Sequence, residues 1–132
     1  NTTVWECIAE LYDEALNNKT KSRAYYEKAI QCHRKDIASA KNDEERASRW
    51  RSLGYLYSYR LKEPKNAALC YRQVVALEPN NADDWEKLGK LCEEAGDYRG
   101  AYEAYSRAVK LVPDNWNFIY ARDRVGAKLK KG

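Results

Sequence analysis

Trp85-Glu86-Lys87-Leu88-Gly89, continued by Ala101, Tyr105, Ala108 and Pro113, is the stretch whose reading decides the fold. Its pattern is W-x2-L-G, then A-x3-Y-x2-A-x4-P. An earlier copy runs through Trp50, Leu53-Gly54, Ala67, Tyr71, Val74 and Pro79, with the same spacings in its second half. A weaker copy opens the chain with Trp5, Ile8-Ala9, Ser22, Tyr26 and Ala29, and carries Arg34 where the proline would stand. From Trp to the small residue the gap is 16 residues in the last copy and 17 in the two earlier ones. Small residues sit where two helices are expected to cross closely, with aromatic rings filling the space between them. Pro79 and Pro113 should end helices, since proline removes a donor and clashes with the preceding turn. Asp97 and Asp114 suit helix N-caps, and Pro64 suits a first helical position.

The spacing resembles the tetratricopeptide repeat, a helix-turn-helix unit of about 34 residues. The match covers about residues 2–115, in units 2–36, 47–81 and 82–115. The resemblance implies an all-α fold, a right-handed superhelical array of antiparallel helix pairs. The pattern predicts seven helices, at about 3–17, 21–41, 43–61, 64–78, 82–95, 98–111 and 115–130. The last carries Arg122, Asp123, Arg124, Lys128, Lys130 and Lys131. It reads as the polar capping helix (115–131) that a solenoid needs at an open end. Residues 1–132 are expected to form one domain.

Ten extra residues separate the first and second units, in His33–Asn42. Without Gly or Pro there, the second helix should run on by about three turns, roughly 15 Å. Asn42 followed by Glu45 reads as a capping box that starts the third helix. Ile37 and Ala40 should then pack on Ala47 and Trp50; a projecting knob that contacts a partner is the other reading. His33, next to Arg34 and Lys35, reads as a solvated side chain.

The chain has 132 residues, 44% of them apolar and 33% charged, with six Gly and three Pro. The longest apolar run, Ala67–Tyr71, is five residues, far short of the roughly 20 that span a membrane. No basic-then-apolar leader opens it, and its start at Asn1 reads as a cut from something longer. Cys7, Cys32, Cys70 and Cys92 form no C-x2-C pair and fall in helical patterns among apolar neighbours. They read as free buried thiols, which predicts a reducing, cytoplasmic compartment and no structural metal. Asn1-Thr2-Thr3 and Asn18-Lys19-Thr20 match the glycosylation acceptor, a string short enough to arise by chance. No phosphate loop, nucleophile elbow or HExxH string is present, so neither an enzyme nor a cofactor site is expected.

Net charge alternates along the chain: −1 over residues 1–46, +4 over 47–81, −3 over 82–115 and +4 over 116–132. In the family resembled here, the first helix of each unit lines a concave groove that binds peptides. Carrying those positions over gives Glu6, Glu10 and Asp13, then Arg51, Tyr55 and Tyr59. The third unit gives Asp83, Glu86, Lys90 and Glu94, and the end helix gives Tyr120 and Arg124. Arg51 and Lys90 are expected to be exposed cations for a partner with acidic segments, and the tyrosines to supply rigid contact area. The chaperone-tail clamp of the family is not expected, because Glu6, Glu10, Asp83 and Lys87 place only one cation at its four carboxylate-binding positions. The sequence thus predicts a protein-interaction module, a scaffold or adaptor holding a peptide. A homo-oligomerisation module is the alternative, and an RNA-contacting repeat the third.

If the thiols are free and no metal is structural, excess reductant with chelator leaves the melting temperature unchanged. A fall of more than a few degrees would contradict this.

Overall fold

The computed structural model describes residues 2–131, so the Asn1 glycosylation string begins outside the described residues. Those residues form seven helices and no strand. α1 (Thr2–Glu10) runs on through a π turn at Leu11–Ala15, and α2 spans Lys19–Ala38. α3 (Asp43–Tyr55) likewise continues through a π turn at Leu56–Arg60, before α4 (Pro64–Leu77). α5 (Ala82–Glu94), α6 (Tyr98–Leu111) and α7 (Trp116–Lys131) complete the array. Each helix packs chiefly on its neighbours in sequence, α1 on α2 through α6 on α7, as a stack of hairpins must.

The π turns explain the longer gap in the first two units. Leu16 N–H bonds back to Leu11 O and Leu61 N–H to Leu56 O, both at 3.1 Å and both five residues apart. The one extra residue is absorbed as a single wide turn, and the crossing point of each hairpin is kept. Left-handed residues then turn the chain: Asn17 (φ 49°), Lys62 (φ 56°) and Gly96 (φ 83°). Only the third unit has glycine there.

Helix starts follow side-chain chemistry. Asn18 Oδ1 accepts from Lys21 N–H (3.1 Å), Asn42 from Glu45 N–H (2.8 Å) and Asp97 from Gly100 N–H (2.9 Å). The box at Asn42 is offset, since the Glu45 carboxylate accepts from Lys41 N–H (3.4 Å) instead of Asn42. Asn115, and not Asp114, caps α7, accepting from Phe118 N–H (3.2 Å). Before Pro79 and Pro113, Glu78 (φ −131°, ψ 74°) and Val112 (φ −133°, ψ 81°) leave the helical region. The ring of the following proline disfavours a helical conformation at both residues.

Within each well-matched unit a tyrosine ring lies on a glycine. A Cβ added to Gly54 would stand 2.8 Å from the Tyr71 ring, and one on Gly89 2.7 Å from Tyr105. Leu53, Leu56, Leu91, Val74 and Val125 fill the core around them. Ile37 and Ala47 join the same core, so the inserted residues extend α2 as a packed hairpin through Ala38. Two expectations need correction, on the cysteines and on His33. Cys70 and Cys92 are buried, but Cys7 is exposed and Cys32 half-buried; all four thiols are free. His33 is buried, not solvated. Trp85 is only half-buried; its indole N–H bonds to Pro79 O at 2.7 Å, and Arg107 lies over the ring.

Gly89→Ala forces Tyr105, itself fully buried, to shift. The variant should lose about 1–3 kcal/mol in denaturant unfolding, as overpacked cores do. An unchanged midpoint would place the helix crossing elsewhere.

Candidate functional site

Most of the positions read from the sequence line two clefts, while Asp13 and Asp83 lie apart from both. The first, of about 480 Å³, lies between α1 and α3 and holds Glu6, Arg51 and Tyr55, with His33, Asp36 and Tyr71 also lining it. The second, also about 480 Å³, lies between α5 and α7 and holds Lys90, Tyr120 and Arg124 beside Glu86 and Glu94. Between them Tyr55 and Tyr59 pack ring to ring at 4.4 Å. Lys87 donates to the Tyr59 hydroxyl at 3.0 Å and stands 4.4 Å from its ring centroid. That bond from an ammonium favours the phenolate and lowers the Tyr59 pKa. Glu10 lines neither cleft; Arg60 holds it at 2.8 Å.

The aromatic positions are open: Tyr55 is 52% exposed, Tyr59 48% and Tyr120 70%. The arginines are not, which corrects the expectation of a free cationic centre. Arg51 on α3 reaches Asp84 at the start of α5 with two bonds, 2.9 and 2.6 Å, and Glu78 after α4 at 2.5 Å. Those bonds, led by Asp84, overcome the burial that would lower its pKa and hold Arg51 firmly charged. Asp84 is almost wholly buried, where an unpaired carboxylate is costly, and among the described residues Arg51 is the cation that neutralises it. Arg124 on α7 binds Glu93 on α5 in a fork, one arm at 2.9 Å. Burial would raise the Glu93 pKa, but bonds from Arg124 and the Tyr105 hydroxyl (2.7 Å) hold it below the ordinary value. Two groove arginines therefore act as struts between alternate helices, α3 to α5 and α7 to α5.

His33 was misread because its partner is distant in sequence: Nε2 lies 3.2 Å from Glu6 Oε1, on a helix 27 residues earlier. Asp36, one turn further along α2, was missed altogether. Its signal was available, since His33 and Asp36 share a helix face inside the inserted segment. Among the described residues no group of three or more His, Cys, Asp or Glu side chains is placed to hold a metal. Nor is any helix long and apolar enough to cross a membrane.

Known proteins match this architecture. Family models for the tetratricopeptide repeat match residues 82–115, and also 4–31 and 47–81. The chain belongs to the tetratricopeptide-repeat family. Its similarity to a solved structure described as the first TPR of Spaghetti (RPAP3) bound to the HSP90 peptide SRMEEVD supports the fold. The TM-score is 0.62 at 19% identity, covering 98% of this chain and 93% of that one. Over 91 residues it is 28% identical to Superkiller protein 3 of Schizosaccharomyces pombe, covering 66% of this chain and 6% of that protein. Over 46 residues it is 44% identical to the BBSome complex member bbs-4 of Caenorhabditis elegans, covering 33% of this chain and 10% of that one. The chain spans a tenth or less of the length of these curated relatives.

Arg51→Ala strands the buried Asp84 carboxylate and should cost about 1.5–3 kcal/mol of stability, the range for hydrogen bonds to charged groups. Tyr55→Ala, at an open surface position, should stay within about 0.5 kcal/mol. Paired thermal and denaturant melts check both; equal effects would contradict the assignment of Arg51 as a strut.

Proposed function

We propose that the chain is a non-catalytic interaction module, a scaffold or adaptor, and that its two-cleft face holds a peptide segment of a partner protein. The observation that carries this is the row of exposed tyrosines, Tyr55, Tyr59 and Tyr120, set along one face between charged walls. Large rigid rings contribute contact area with little loss of rotamer freedom, which is why such residues dominate interfaces. Family membership supports the reading, and so does the peptide-bound state of the solved relative. In this reading Tyr55, Tyr59, Lys90 and Tyr120 touch the peptide, Arg51, Arg124 and Glu6 shape the walls around it, and Glu10, held by Arg60, stands outside both clefts. The module works in a reducing, cytoplasmic setting. Cys70 suits that setting, because burial pushes its thiol up to about 12 and leaves it unreactive.

A second reading, self-association, rests on Trp116 at the start of α7, which is 80% exposed. Light scattering on the purified chain separates the two: a dimer that survives dilution and is lost in Trp116→Ala favours self-association.

The groove reading is tested by selecting binders from a displayed random peptide library. Enriched peptides should lose roughly thirtyfold in affinity for the double variant Tyr55→Ala, Lys90→Ala, as truncated central anchors do. The variant's melting temperature should match the parent's. Peptides that bind parent and variant equally would exclude this face as the site.

A further inference from the structure

The groove's charge differs from what the sequence offers, and the difference selects a partner. Arg51 faces two carboxylates, Glu78 and Asp84, and Arg60 faces two more, Glu10 and Glu14. Arg124 is held by Glu93, and Lys90 stands 3.8 Å from Glu86. Lys87 is engaged by Tyr59, and Arg49, at the rim of the first cleft, by Glu45 at 3.8 Å. The side chains of Asp36 in the first cleft and Glu94 in the second form none of the ion pairs among the described residues. The two clefts are lined by five carboxylates, Glu6, Asp36, Glu86, Glu93 and Glu94, and four cations, Arg49, Arg51, Lys90 and Arg124. Each of the cations is paired, so the carboxylates left without an ion pair set the charge a ligand meets, although the whole chain carries +4. The positive surplus lies elsewhere, as in Lys128, Lys130 and Lys131 of the last helical turn. At physiological ionic strength charges are screened over about 8 Å, so a ligand in the clefts feels the side chains that line them most strongly; of the three lysines, Lys128 still acts on Glu93 in the second cleft.

The aromatic walls suit a cation as well. The molecule already makes the contact once, with the Lys87 ammonium over the Tyr59 ring. Tyr120 offers an open ring in the second cleft and Tyr55, packed on Tyr59, a half-open one in the first, and among the described residues neither carries such a cation. A lysine or arginine laid across either ring would gain the attraction of the ring face and reach a carboxylate beyond it.

We infer that the groove takes a basic peptide segment, whose Lys or Arg side chains lie across Tyr55 and Tyr120 and end on Asp36 and Glu94. This reverses the acidic partner expected from Arg51 and Lys90, and it rests on the peptide-binding reading above. The chain's overall positive charge would by itself attract acidic peptides, so a preference for basic ones has to come from the groove.

The test uses two dye-labelled pools of degenerate twelve-residue peptides, one with Arg at alternate positions and one with Glu in its place. Binding is read by fluorescence anisotropy at physiological salt. The Arg pool should bind at least roughly tenfold more tightly than the Glu pool, as complementary charge requires. Asp36→Asn with Glu94→Gln should weaken the Arg pool roughly three- to tenfold, the range for two partly solvated charge contacts, without moving the melting temperature. Preference for the Glu pool with dependence on Tyr55 would overturn the charge assignment and leave the groove reading standing. An Arg pool that binds the double variant undiminished would overturn the assignment of Asp36 and Glu94. Binding by neither pool, with no groove-dependent peptide in the display selection, would remove the groove reading and this inference together.

Discussion

Tyr105 lying against Gly89 is the contact on which the rest of the array depends. Because no Cβ intervenes, the ring settles 2.7 Å from where one would be, and α5 and α6 approach closely enough to share a core. Tyr71 and Gly54 repeat the arrangement in the preceding unit. A hairpin closed this way still has an apolar flank, which only the next hairpin can cover, so the units stack. The same tyrosine ties core to groove. Its hydroxyl donates to Glu93, which accepts the Arg124 fork from α7. Helix crossing, groove wall and end helix are thus joined through one side chain.

What the sequence showed plainly was local or periodic. Trp, Gly, Tyr and Pro at fixed intervals announced the hairpins, and Asn42 and Asp97 cap helices where the sequence placed them, whereas the cap at Asn18 went unread. The 16-against-17 spacing was visible too, but its outcome was not, since one extra residue can lengthen a loop or widen a helical turn. The structure chose the π turn in both units. Pairings across the chain were hidden. Arg51 finds partners 27 and 33 residues away, and His33 finds Glu6 at 27. Neither is predictable from the neighbours that made one residue look like a ligand contact and the other like a solvated side chain. Asp114 lost the cap of α7 to Asn115 by a single position, within the ordinary uncertainty of helix ends.

For recognition, the pairing divides the groove into structural and available groups. Arginine's planar fork donates to both oxygens of a carboxylate, and here the array uses it to join α3 to α5 and α7 to α5. What remains open to a ligand is tyrosine, Lys90 and unpaired carboxylate. The centre that read as basic and aromatic between acidic stretches keeps its exposed tyrosines once folded, but its arginines are paired with carboxylates.

The claim that the groove arginines hold the array together is tested most directly by a double-mutant cycle on Arg51 and Asp84, read in denaturant unfolding. If the bond seen at 2.6 and 2.9 Å joins α3 to α5, Arg51→Ala and Asp84→Ala are strongly non-additive. The coupling energy is then at least about 1.5 kcal/mol, as for hydrogen bonds between charged groups. Additivity to within about 0.5 kcal/mol would show that Arg51 is not a strut and stands free for a ligand.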